Sequence, residues 1–187
     1  EECAAMQEIM DEDIAAGLLP DSTVIEPWDW AYYAEKVRQR KYALDEAEIK
    51  PYFKMENVRE GVFSLAHDMY GLNFEKLDSI QVYHPDVEGF KVTDSDGSLI
   101  GILLTDYYPR STKRGGAWMN NFRSQEISED GEDIRPVIVN VGNFTKPTAD
   151  KPSLLTLDEA ATMFHEFGHA LHGLLSKCTY KDVSGTS

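Results

Sequence analysis

The residues best equipped for chemistry lie near the end of the chain, in His165-Glu166-Phe167-Gly168-His169, an H-E-x-x-H pattern. On a helix each residue turns by about 100°, so histidines four apart share one face and can grip one metal ion. Neutral imidazoles bonding at about 2.0–2.1 Å suit zinc, whereas Glu166, one residue round the helix, is badly placed to ligate but can reach a metal-bound water. Such a carboxylate is a general base: it takes a proton from water that zinc has acidified and passes it to the leaving amine, as hydrolysis of a neutral peptide requires. The competing reading of these residues is a polar stripe on an ordinary helix. The motif's place in a capped helix with an apolar opposite face favours the metal.

A catalytic zinc takes three protein ligands and leaves its fourth position to water. His172 lies near the same face, but the rise from 165 to 172 is about 10.5 Å at about 1.5 Å per residue, too far for one straight helix to supply all three. His172 is therefore expected to tune the site from outside the ligand set. The longer pattern H-E-x-x-H-x-x-G-x-x-H would need Gly at 172 and His at 175, where the chain has His172 and Leu175. Cys178 falls about 13.5 Å past His169 on a continuing helix. The third ligand must come from elsewhere.

The elements that have to position the motif can be read outward from it. Thr156 with Glu159 forms a capping box, so a helix is predicted from there, with Met163, Phe164, Phe167, Leu171, Leu174 and Leu175 on its buried face. Gly168 interrupts it at a cost of about 1 kcal/mol relative to Ala, which predicts close approach of another segment to the backbone there. Upstream, Gln81–His84, Phe90–Val92, Leu99–Tyr108, Ala117–Met119 and Pro136–Val141 favour strands, with a hairpin turn at Asp94–Ser98 and an acidic loop tip over Glu126–Asp133. Helices are predicted over Glu1–Ala16, ended by Gly17, over Trp28–Leu44, and from the cap Asn57 to Gly71. The expected fold class is α+β, mostly helical with a small antiparallel sheet. A helical part over 1–78, a sheet part over 79–148 and the motif helix over 149–187 would form one partial catalytic domain.

Composition narrows the function classes. The chain of 187 residues carries 18 Lys+Arg against 33 Asp+Glu, a formal net charge of −15, whose field repels phosphate backbones and anionic membrane surfaces. Its apolar runs fall well short of the roughly 18 residues a spanning helix needs. Neither nucleic acid nor membrane is an expected partner. Cys3 and Cys178, at opposite ends, make no disulfide framework and fit a reducing compartment, so a cytoplasmic location is expected, the periplasm staying open. His84 has no assigned role, and Asp94–Gly97 and Ser111–Gly116 lack the spacing of a calcium loop and a phosphate loop.

The run Phe164-His165-Glu166-Phe167-Gly168-His169-Ala170-Leu171-His172-Gly173 closely resembles the thimet oligopeptidase family, particularly its peptidyl-dipeptidase Dcp branch. So do Trp28-Asp29-Trp30 with Tyr33–Lys36, Tyr83–Val87, Gly115–Met119 and Arg135–Asn140, in the expected order. The resemblance implies an internal part of a larger two-lobed helical zinc peptidase that acts on short peptides in a deep channel and releases C-terminal dipeptides. In that likeness His165 and His169 hold one zinc ion and Glu166 is the base. The third protein ligand is a glutamate on the next helix, beyond residue 187, so the remainder of the same polypeptide completes the site and this chain alone is inactive. The likeness also makes Gly116 and Ala117 candidate substrate-binding residues that pair with peptide backbone as an added strand, against the plainer reading of a glycine-rich turn. The rival reading overall is a non-enzymatic acidic helical interaction module in which the histidines are incidental.

Overall fold

A computed structural model describes residues 2–42 and 46–186. The expected helix start at Glu1 and the expected end of the second helix at Leu44 lie outside the described residues. The chain divides into two compact units, with the boundary between Ile49 and Lys50.

In the first unit α1 (Glu2–Ala15) and α2 (Trp30–Tyr42) form a helical pair, followed by the short α3 (Glu46–Ile49). Met6, Ile9 and Met10 of α1 are buried with Tyr33 of α2, and Ala34 and Val37 pack around them. Gly17 closes α1 at φ 73°, a left-handed value that suits Gly. Asp13 accepts hydrogen bonds from Lys36 Nζ at 2.6 Å and Tyr33 Oη at 3.2 Å, tying the two helices at one end of that apolar seam.

The second unit holds everything that bears on the motif. Its α4 (Met55–Tyr70) starts ahead of the expected cap Asn57, because Met55 N–H donates to Ser153 O at 2.9 Å and so satisfies the first turn from outside the helix. Gly71 ends it at φ 73°, as expected. The strands are β1 (Asn73–Lys76), β2 (Glu88–Thr93), β3 (Leu99–Asp106), β4 (Trp118–Arg123), β5 (Glu126–Ile127), β6 (Asp133–Ile134) and β7 (Val137–Val141). Five of them form one sheet in the order β1-β2-β3-β7-β4.

That sheet is mixed, which corrects the expectation of an antiparallel one: β3 and β7 run parallel and the other neighbours antiparallel. Four of the five β7 residues are buried, so the strand needs cover on both faces and a neighbour on both edges. Gln81–His84 is not a strand: the chain turns around Pro85, where Val87 N–H donates to His84 O at 3.0 Å, and Tyr83 Oη is drawn to Asp106 at 2.8 Å. The polar β1 escaped prediction; its Phe74 stacks on Phe63 of α4 with centroids 4.2 Å apart. The Asp94–Ser98 turn joins β2 and β3 as expected. The acidic loop tip is narrower than expected, since β5 and β6 pair with each other and leave the turn to Ser128–Gly131.

The motif helix, α5 (Leu157–Leu174), lies across β3, β7 and β4 and against α4. Its capping box forms as predicted: Glu159 N–H donates to Thr156 Oγ1 at 3.1 Å and Thr156 N–H to Glu159 Oε2 at 2.8 Å. Ala160, Met163, Phe167, Ala170, Gly173 and Leu174 form the buried stripe. Phe164 does not belong to it and is 43% exposed, because it sits about 100° round from Met163. The expected close approach at Gly168 is also absent: a Cβ there would meet nothing within 4 Å. The tight glycine is Gly173, where a Cβ would lie 2.7 Å from Ile138 Cδ1 and 2.8 Å from Met119 Cε. Gly168→Ala is therefore expected to stabilise the protein by up to about 1 kcal/mol, and Gly173→Ala to cost about 1–3 kcal/mol by pushing α5 off the sheet. Thermal unfolding of the two variants beside the parent checks the opposite signs.

Candidate metal centre

The two motif histidines meet on the solvent side of α5. Their Nε2 atoms are 3.1 Å apart and the rings stand edge to face, with centroids 4.8 Å apart. Both side chains are exposed, whereas Glu166 is half-buried. A cleft beside them is lined by Glu166 and His169 from the helix, Trp118 and Met119 from the start of β4, Ala117 just before it, and Thr186. So Glu166, His169 and Ala117 share one cleft, with Gly116 adjoining it. His172 does not join them and lines a separate groove with Tyr70, Leu175, Ser176 and Cys178. Among the described residues no three His, Cys, Asp or Glu side chains converge on a point that could hold an ion.

The cleft wall is held from below by a buried charged cluster. Asp106, 1% exposed at the end of β3, accepts two bonds from Arg110 at 2.7 and 2.8 Å, one from Tyr83 Oη at 2.8 Å and one from Lys113 Nζ at 3.1 Å. Burial disfavours its charge, but the hydrogen bonds from Arg110, Tyr83 and Lys113 outweigh it and hold the carboxyl below the usual Asp range. Burial pushes the Lys113 ammonium down, yet it also donates to the carbonyls of Tyr108 and Gly142 at 2.8 and 2.5 Å. The loop leading into β4 is thereby tied to the ends of β3 and β7. Asn143 Nδ2 completes the tie by donating to Arg114 O at 2.8 Å and Gly116 O at 2.7 Å, and Gly116 adopts φ 89°, which disfavours any side chain there.

The far end of α5 is clasped as well. Arg135 donates from Nη2 to Leu174 O at 2.8 Å and from Nη1 to Ser176 O at 3.3 Å, a cation on the last turn's free carbonyls. Gln125, 1% exposed, bonds both the N–H and the carbonyl of Cys178, at 2.7 and 3.1 Å. Sequence reasoning missed Asp106, Lys113, Gln125 and Asn143. A visible signal existed only for Asp106, a charge ending an apolar strand.

The sequence profile of peptidase family M3 matches residues 1–187. The chain belongs to peptidase family M3. It is 47% identical over 164 residues to the dipeptidyl carboxypeptidase of Salmonella typhimurium, a match covering 87% of this chain and 24% of that protein. The oligopeptidase A of Escherichia coli is 39% identical over 163 residues, with the same shares covered, and the organellar oligopeptidase A of Arabidopsis thaliana 43% identical over 155 residues, 80% of this chain and 20% of that protein. The M3 chain thus spans about a quarter of the length of the relatives it matches.

The donor atoms of the M3 chain suit zinc. Neighbouring ligands at about 2.0–2.1 Å in a tetrahedron stand roughly 3.3 Å apart, close to the 3.1 Å between the two Nε2 atoms. Two imidazole nitrogens reachable from solvent at that spacing would supply two of the ligands such an ion needs.

Proposed function

We propose that this chain carries the metal-binding helix and the substrate-facing sheet edge of a zinc-dependent metallopeptidase that releases dipeptides from the C-termini of short peptides. The observation that carries the proposal is the convergence of His165 and His169 Nε2 beside a cleft walled by Glu166 and the start of β4. His165 and His169 would hold the ion, and a third protein ligand from beyond residue 187 would complete the set. When bound, zinc polarises the scissile carbonyl and acidifies a water. Glu166 takes the proton from the attacking water and delivers it to the leaving amine. It is half-buried and lines the same cleft as His169. β4 is an edge strand, so substrate backbone entering past Gly116 and Ala117 can add to the sheet as a further strand. His172, lying in its own groove, adjusts the site without ligating. The dipeptidyl relatives favour release of dipeptides over internal cleavage, on identities of 47% and 46% against 39% for the bacterial oligopeptidase A.

Among the described residues no helix is long and apolar enough to cross a membrane. The two cysteines are free, and a reducing cytoplasm is the proposed place of action.

Quenched peptides of graded length, with free or amidated C-termini, test the proposal on the complete enzyme and on this chain alone. The complete enzyme is expected to release C-terminal dipeptides, to stop when a chelator removes the metal and to recover when zinc returns. The chain alone, with two of three ligands, is expected to be silent. Internal cleavage of amidated peptides would shift the assignment to an endopeptidase, and hydrolysis indifferent to chelator would overturn the zinc reading.

A further inference from the structure

The two faces of β7 have different surroundings. Val139 and Val141 pack with Val87 and Leu104 on one side of the sheet, while Ile138 packs on the other in the core that includes Phe167, Ala170 and Leu174 of α5. Strand alternation places Asn140 on the α5 side with Ile138. It is 0% exposed, an amide set among apolar side chains and the buried Thr105 and Tyr107. Its Nδ2 donates to the main-chain carbonyl of Glu166 at 2.8 Å, in mid-helix, where that carbonyl is already the partner of the Ala170 N–H. Tyr107 Oη, itself buried, donates to Asn140 Oδ1 across a longer 3.4 Å. Burial pushes the Tyr107 pKa up and keeps the phenol protonated. A carbonyl can only accept, so the amide is oriented one way, Nδ2 towards Glu166 and Oδ1 towards the phenol.

The cross-strand partner of Asn140 on β4 is Met119, which lines the cleft with Glu166 and His169. One buried side chain therefore stands between the sheet edge and the residue proposed as base. Apolar packing between α5 and the sheet is non-directional and tolerates small slides and rotations, whereas an N–H···O bond confines its atoms to about 2.7–3.2 Å in a narrow range of angles.

We propose that Asn140 is a positioning residue: its bond to the Glu166 carbonyl fixes the height and rotation of α5 against the β4 edge, holding the base in register with a peptide lying along that edge. The catalytic consequence rests on the zinc-peptidase reading; the mechanical one does not.

Asn140→Leu and Tyr107→Phe, made in the complete enzyme, test it. Asn140→Leu is expected to lower kcat by about 10–100-fold, the range for groups that orient ligands from outside the metal set. KM and zinc content stay near the parent's while the unpartnered Tyr107 hydroxyl lowers the melting temperature by a few degrees, and a fall in kcat at full zinc occupancy is a split that a general loss of folding does not give. Tyr107→Phe, which frees the amide to turn, is expected to show a smaller fall of the same kind. A second readout needs no activity: with metal removed, the Ala170 amide is expected to exchange hydrogen faster in Asn140→Leu than in the parent. Unchanged kcat in Asn140→Leu, or a loss confined to KM, overturns the proposal. If Asn140→Leu does not fold, Tyr107→Phe decides, and unchanged kcat with unchanged Ala170 exchange overturns it. If the parent shows no chelator-sensitive hydrolysis, the peptidase reading fails separately, and the exchange rate alone judges Asn140.

Discussion

Glu166→Gln in the complete enzyme is expected to lower peptide hydrolysis by about 10²–10⁴-fold, the contribution of a positioned general base, while bound zinc stays at the parental level. Glutamine keeps the shape and the hydrogen-bonding reach of glutamate but cannot take up a proton at neutral pH. The substitution leaves the two imidazoles and the main-chain bond from Asn140 untouched, since that bond is made to the carbonyl and not the side chain. Hydrolysis and zinc content should be measured on the same preparations. Near-parental turnover in Glu166→Gln would remove Glu166 from the role of base, and loss of zinc would make it a ligand.

The second large effect is expected from the histidines. His165→Ala or His169→Ala should empty the site of zinc and bring hydrolysis to background, because one imidazole and one distant ligand cannot hold an ion that needs three protein donors. Both rings are exposed, so stability should change by less than about 0.5 kcal/mol in the metal-free protein. His172→Ala is the control. It lines a different groove, so zinc should remain and activity should fall by no more than about tenfold, the lower end for residues outside the ligand set. Elemental analysis of the three variants separates the cases, and complete zinc loss from His172→Ala would show that a ligand had been misassigned.

Much of the second unit was legible because its signals are local. The Thr156–Glu159 box, the end of α4 at Gly71 and the Asp94–Ser98 turn each involve residues within one or two turns of each other, so spacing alone reports them. The pairing of His165 with His169 is of the same kind: four residues on a helix bring two imidazoles together wherever the helix lies. Where local signals misled, a distant partner had overridden them. Tyr83 left a strand-like segment for the Asp106 carboxylate, and Met55 started α4 early because Ser153 supplied a carbonyl.

The sequence by itself therefore determined the motif, the helix that presents it, the cap that starts that helix and, of the apolar stripe that buries it, Met163, Phe167 and Leu174. Only the tertiary structure decided which glycine is crowded, where β7 lies between β3 and β4, and which side chains reach the site from afar. Ile138 presses on Gly173 across 35 residues of chain, and Asn140 bonds to Glu166 across 26. The physical reason is that helical periodicity and capping depend on the rise and turn of a single element, whereas these contacts depend on how two elements dock, and docking is set by the shape of the whole core.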